Sequence, residues 1–195
     1  MVPSHPLLAG EKVALRRLAR EQRRDFVNGL GEQQRESQEQ QLAVILAPLL
    51  AKSRVTGGYS PLPSEISPHP ALRNAAAHGA TIAFPAFADH QEPFRFLAGD
   101  PVDKGPWAVF QPPPGAPHVF PDLVLVPLVA IDRRGTRLGQ GKGHYDRVLG
   151  GLRRHGALLI GLGWPLQVLD SVIPADPWDV ALDGFASPSG LEMFR

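Results

Sequence analysis

The spacing of apolar residues changes period several times along this chain, and each change marks an element. Over 11–28 the pattern is that of a basic helix. Leu15, Leu18 and Phe26 form a thin apolar stripe, while Lys12, Arg16 and Arg20 recur every fourth residue on one face. Arg17, Arg20, Arg23 and Arg24 read as surface charges. A second helix over 32–52 is predicted to bury Leu42, Ile45, Leu46, Leu49 and Leu50. A short strand closes at Gly57-Gly58, and a Ser/Pro loop carrying Glu65 follows. A helix over 70–78 with Gly79 at its C-terminal cap leads into a compact strand over 81–87. Phe94-Arg95-Phe96 alternates as a half-buried strand does. Residues 100–121 are crowded with breakers and read as a long loop with Trp107 as its large anchor. The run 123–131 is almost unbroken in its apolar character, as a strand buried on both faces requires. A helix to about residue 154, a strand over 157–163 and a last strand near 180–185 complete the pattern. Strands alternating with helices predict an α/β fold of three layers, a mainly parallel sheet with helices on both faces. It is expected to be a single domain over 1–195, with 1–10 disordered.

Composition narrows the function classes. A chain of 195 residues is long enough to bury a sizeable core. Its net charge of +1 supplies no global field toward nucleic acid or a membrane surface. Without cysteine it has neither a disulfide framework nor a thiolate nucleophile or metal ligand. The seven histidines lack the i, i+4 spacing of a zinc site, so no zinc is expected. No apolar run approaches the length of a membrane span and no signal-peptide core precedes the first helix. A cytoplasmic protein is the expectation.

The chemistry concentrates where the apolar run 123–131 gives way to RRGTRLGQGKGHYDRVL. A buried strand feeding a Gly-rich turn and a helix N-terminus presents backbone N–H donors and a helix dipole to an anion. Gly139, Gly141 and Gly143 alternate, which permits close backbone approach and positive φ at little cost. Lys142 stands among them as a mobile point charge suited to a triphosphate. Two common nucleotide loops are excluded: a Walker loop needs Gly at 136 and Ser or Thr at 143, and the dinucleotide fingerprint needs Gly at 144, where this chain has Thr, Gly and His. A ligand-free tight turn is the competing interpretation. Asp146, opening the following helix, suits either a Mg²⁺ ligand or an N-terminal cap.

The same segment resembles the signature of the 5-formyltetrahydrofolate cyclo-ligases, D-x-x-G-x-R-L-G-x-G-[GK]-G-Y-Y-D-R. Asp132, Gly135, Arg137, Leu138, Gly139, Gly141, Lys142, Gly143, Tyr145, Asp146 and Arg147 match it, and His144 stands in place of the first Tyr. The resemblance extends more weakly over nearly the whole length, through K-x-x-L-R at Lys12 and Arg16, YSPLPSEISPHPAL around Glu65, and Lys104-Gly105-Pro106-Trp107. It implies an ATP- and Mg²⁺-dependent ligase that converts 5-formyltetrahydrofolate to 5,10-methenyltetrahydrofolate with release of ADP and phosphate. On that resemblance ATP would contact Lys12, Arg16, Arg137, Gly139, Gln140, Gly141, Lys142, Gly143, His144 and Tyr145, with Arg137 bracing the loop or a phosphate. Glu65 would hold the polar edge of the pterin, Trp107 would stack on it, and Tyr145 would orient the formyl group beside a catalytic Lys142. Asp146 and Asp179 would hold the metal, with Asp176 and Asp183 as competitors for the second place and Trp178 where the family has His. The implied partners are a reduced folate and ATP, with no nucleic acid or membrane, in a monomer or weak homo-oligomer. Two alternatives remain: a cyclo-ligase-like module that has lost catalysis and binds a partner such as RNA, and another small-molecule ATP-dependent kinase or ligase.

Overall fold

A computed structural model of the chain describes residues 6–194, with side chains from Gly10 onward. Of the ten N-terminal residues expected to be disordered, 1–5 lie outside the described residues, and helix α1 begins at Pro6.

The elements follow in the order α1 (Pro6–Asn28), α2 (Glu32–Leu50), β1 (Val55–Gly57), α3 (His69–Ala77), β2 (Thr81–Ala86), β3 (Arg95–Ala98), β4 (Asp103–Lys104) and β5 (Phe110–Gln111). Then come β6 (Leu123–Pro127), β7 (Ala130–Asp132), β8 (Arg137–Leu138), α4 (Asp146–Arg154), β9 (Leu158–Leu162), β10 (Val168–Leu169), β11 (Gly184–Ser187) and β12 (Gly190–Met193). Seven strands form the main sheet in the order β12-β11-β9-β6-β1-β2-β3. Its five central strands pair in parallel, and β3 and β12 add antiparallel edges. The three-layer expectation holds. Alternate residues of β6 serve opposite faces, Leu123 and Leu125 packing with α2 and α3, and Val124 and Val126 with the Leu149 and Leu152 side of α4. Among the described residues no helix is long and apolar enough to cross a membrane.

The structure corrects three expectations. The apolar run 123–131 is two strands, β6 in the main sheet and β7 in a small sheet of order β10-β7-β8. Pro127 ends the first piece, and the carbonyls freed at the break are satisfied from afar: Gln167 donates to Leu128 O at 2.9 Å and Val129 O at 3.0 Å. Both pieces are buried, so periodicity could not reveal the break. The last strand lies further along than expected, at β11, and returns through the unanticipated β12. In α1, Leu18 is exposed while Ala19 and Leu15 pack on Val129, Ala130, Leu138 and Ile173 of the small sheet region. The face of α1 that turns inward is its cationic one.

Candidate functional site

The C-terminal ends of β1, β2 and β6 lead into Tyr59, Phe87 and Pro127, which line one wall of a cavity of about 320 Å³. Open parallel sheets place ligands at this end, because successive connections diverge there and leave a crevice. The opposite walls come from α1 and from the loop between β8 and α4. Lys12, Arg16, Glu65, Arg137, Gly139, Gln140, Gly141, Lys142, Gly143, His144, Tyr145, Asp146 and Asp179 all line this cavity. Residues more than 130 positions apart in sequence, such as Lys12 and Tyr145, are therefore brought to one place. Gly141 and Gly143 adopt φ of +94° and +66°, which a side chain would resist, whereas Gly139 needs no such freedom.

The first signature residue, Asp132, does structural work. Its carboxylate accepts N–H bonds from Arg134 at 3.0 Å, Thr136 at 2.9 Å and Ile173 at 3.0 Å. Burial alone would raise its pKa, but these bonds hold the carboxyl below its ordinary value. Gly135 follows at φ +79°, where a Cβ would run into the carbonyl oxygen of Leu182. Motif positions 132 and 135 thus build the turn that launches the loop.

Cations and carboxylates around the cavity are mostly paired with one another. Lys12 Nζ donates to Asp176 at 2.7 Å and to Asp179 at 2.6 Å. Burial depresses the Lys12 pKa, but hydrogen bonds and charge from the two aspartates outweigh it and leave it raised. Arg137 forms a close ion pair with Asp146 and donates to Val180 O at 2.8 Å, so it braces the loop against the C-terminal segment. Arg23 is 3% exposed, which overturns its reading as a surface charge. It donates to Leu128 O at 3.1 Å and Ser64 Oγ at 3.2 Å and lies 3.7 Å from Glu65 Oε1. Its spacing from Lys12, Arg16 and Ala19 was the available signal, since all four share one helical face. Arg20 is tied to the loop as well, donating to Gln140 Oε1 at 3.0 Å and Gln140 O at 2.7 Å. Arg16 Nε donates to Gly139 O at 3.1 Å, and burial, then the charge of Arg20, lowers its pKa. Among the described residues Arg16, Arg20 and Lys142 have no carboxylate partner, and Arg16 and Lys142 line the cavity. They are the cations available to an anionic ligand.

Glu65 is buried, with Oε2 accepting Leu62 N–H at 2.9 Å and Oε1 accepting Gln140 Nε2 at 3.0 Å. Tyr145 packs edge-on against Phe94 with centroids 5.0 Å apart. Burial, reinforced by the negative charge of Glu65, pushes its pKa well up, so its hydroxyl stays protonated and able to donate. His144 packs edge-on against Phe87 at 4.9 Å, and burial, then the charges of Arg147 and Lys142, lowers its pKa.

Trp107 does not line the cavity. It is 41% exposed at the rim, in the left-handed region with φ +64°, with Lys142 Nζ 4.9 Å from its ring centroid and His144 beside it. Nor does it anchor the loop over 100–121. Gln111 does that, buried and clamped to Phe87 by two hydrogen bonds, N–H to Oε1 at 3.0 Å and Nε2 to carbonyl at 3.2 Å. Sequence reading also passed over Phe110 and Phe87 as cavity walls.

The acidic residues suit a hard dication only in part. Asp146 answers Arg137, while Asp176 and Asp179 share Lys12. Among the described residues no three metal-ligating side chains converge. Asp146 and Asp179 are the carboxylates that would hold Mg²⁺, which usually takes one or two of them beside a nucleotide, with phosphate oxygens and water completing the shell. Asp183 is elsewhere, bonded to Arg153 and to Leu159 N–H, which removes it from consideration.

The chain is similar to known proteins in both sequence and fold. A profile of the 5-formyltetrahydrofolate cyclo-ligase family matches residues 9–188. A Haemophilus influenzae protein named 5-formyltetrahydrofolate cyclo-ligase is 33% identical over 92 residues, 45% of this chain and 49% of that one, so the chain spans about half the length of the curated relatives it matches or less. The solved structure of an Aquifex aeolicus 5,10-methenyltetrahydrofolate synthetase superposes with a TM-score of 0.77 at 26% identity, covering 94% of this chain and 93% of that one. A Mycoplasma pneumoniae 5,10-methenyltetrahydrofolate synthetase shares the fold, with a TM-score of 0.68 at 23% identity over 91% of this chain and 98% of that one.

Proposed function

The chain belongs to the 5-formyltetrahydrofolate cyclo-ligase family, and from that premise we propose that it converts 5-formyltetrahydrofolate to 5,10-methenyltetrahydrofolate at the expense of ATP. The observation that carries this reading is that the glycine loop with Arg16 and Lys142 and the buried carboxylate of Glu65 line a single cavity. A phosphate site and a paired-donor site side by side are what a reaction between ATP and a pterin requires.

A formamide carbon is a poor electrophile and its oxygen a poor leaving group. In the proposed reaction the formyl oxygen attacks the γ-phosphorus and ADP leaves. Nitrogen 10 then attacks the formyl carbon and loses its proton to solvent, and the C–O bond breaks to release phosphate. Catalysis of this kind is positioning and charge stabilisation rather than covalent work by the protein. Lys142, Arg16 and the loop N–H groups face the phosphates, Glu65 accepts two N–H bonds from the pterin, and the protonated Tyr145 hydroxyl orients the formyl group. Asp146, with Asp179 as the second carboxylate, would hold Mg²⁺, which when bound neutralises charge on the phosphate oxygens. Lys12 acts indirectly, by holding Asp176 and Asp179 in place.

The test is the absorbance of methenyltetrahydrofolate when the pure protein meets 5-formyltetrahydrofolate with and without Mg-ATP. A rise that needs both is expected; no rise from folded protein that binds ATP would overturn the reading in favour of another acceptor substrate.

A further inference from the structure

We infer that Gln140 is a positioning residue that couples the folate end of the cleft to the ATP end. The inference rests on the function proposed above. Gln140 lies in the glycine loop between Gly139 and Gly141, yet its side-chain amide reaches Glu65 on the opposite wall. Its two ends are used separately: Oε1 accepts from Arg20 Nε at 3.0 Å, and Nε2 donates to Glu65 Oε1 at 3.0 Å. The loop backbone is fastened to α1 independently, through Arg20 to Gln140 O at 2.7 Å and Arg16 to Gly139 O at 3.1 Å. Gln140 itself is exposed, so its side chain fills no space in the core.

The Glu65 carboxylate is already well occupied. Leu62 N–H takes Oε2, and Oε1 faces both Gln140 and, at 3.7 Å, the Arg23 guanidinium. A carboxylate offers about four acceptor positions, and a ligand with adjacent N–H donors needs one on each oxygen. Arg23 is buried, and Leu62 bonds through its backbone, its N–H to Oε2 and its carbonyl accepting Glu65 N–H at 2.9 Å in the same tight turn, so both stay. Gln140 is the partner that such a ligand displaces. Displacement frees the glycine loop from Glu65 while Arg16 and Arg20 keep it on α1, so the loop can close on phosphate without first breaking that tether. Conversely, phosphate that draws the loop inward loosens Gln140 and opens Oε1. Each ligand removes a cost that the other would otherwise meet, and the coupling is positive and reciprocal.

The experiment measures the affinity of β,γ-imido-ATP with Mg²⁺, with and without saturating 5-formyltetrahydrofolate, in the wild-type protein and in Gln140→Ala. In the wild type the folate is expected to tighten nucleotide binding about fivefold or more, within the usual range of such couplings. Gln140→Ala should bind each ligand alone, yet the coupling factor should fall below about twofold. Arg20→Ala, which loosens the other end of the same amide, should reduce the factor as well. Equal loss of affinity for each ligand with the coupling factor intact would mark Gln140 as a purely structural loop residue and overturn the inference. Both ligands bound with coupling unchanged in Gln140→Ala would also overturn it while leaving the proposed function standing. A wild-type protein that binds neither ligand would overturn both.

Discussion

The two ends of the cleft are built on opposite plans. At the Glu65 end the two charged groups are buried and have several partners: Glu65 meets Leu62, Gln140 and Arg23, and Arg23 meets Leu128 and Ser64. At the glycine-loop end Lys142 is exposed, lies over the face of a rim tryptophan, and stands on a backbone with two left-handed glycines. The first end is preorganised, because a buried unpaired charge is too costly to leave mobile. The second stays open, as befits a cation that must follow phosphoryl charge during transfer. One end should therefore respond to mutation in stability as well as in binding, and the other in turnover alone.

The largest expected break in this contrast is Lys142→Ala. It should cost about a hundredfold or more in kcat/KM for ATP, the scale of losing one transition-state charge partner, with an unfolding midpoint close to wild type. Unchanged ATP kinetics would show that the open end is ornamental. At the closed end Arg23→Ala leaves the Glu65 carboxylate buried beside an empty space. It should destabilise the fold by about 3 kcal/mol or more, the usual penalty for orphaning a buried charge, as read by denaturant unfolding.

Asp132→Asn tests the turn that launches the glycine loop. The Asp132 pKa lies below its ordinary 3.8, so its contribution to stability is present above about pH 4 and is lost as pH falls through the depressed native value. The variant should be less stable at pH 7 by about 1–3 kcal/mol and should show a flatter acid limb of the stability profile. The smallest effect belongs to Trp107→Ala at the rim, about two- to fivefold in the KM for folate or ATP, since an exposed cation–π contact is worth about 0.5–1 kcal/mol. A hundredfold loss there would mean that the loop over 100–121 closes onto the ligand.

These predictions draw on features of unequal legibility. The alternation of helices and strands, the parallel sheet and the glycine loop follow from local pattern, because apolar period and turn chemistry act over a few residues. The inward face of α1 was half visible, since the spacing of Lys12, Arg16 and Arg23 puts them together but does not say that this face, rather than the Leu18 face, meets the protein. The signature around residues 132–147 was legible as a glycine-rich loop between a strand and a helix, while the structural task of Asp132 within it was not, because its partner Ile173 lies 41 residues away.

By itself the sequence determined the α/β class, the bounds of most helices and central strands to within a few residues, and a set of candidate cations and carboxylates. Only the tertiary structure decided how those charges are shared: Lys12 with Asp176 and Asp179, Arg137 with Asp146, Arg23 and Gln140 with Glu65. It also decided that the apolar run divides at Pro127 between two sheets, and that Gln111 rather than Trp107 secures the covering loop. The reason is physical. Periodicity and turn propensity are short-range properties of the chain, whereas a buried polar group is satisfied by whatever donor or acceptor the fold brings near, often from a hundred residues away.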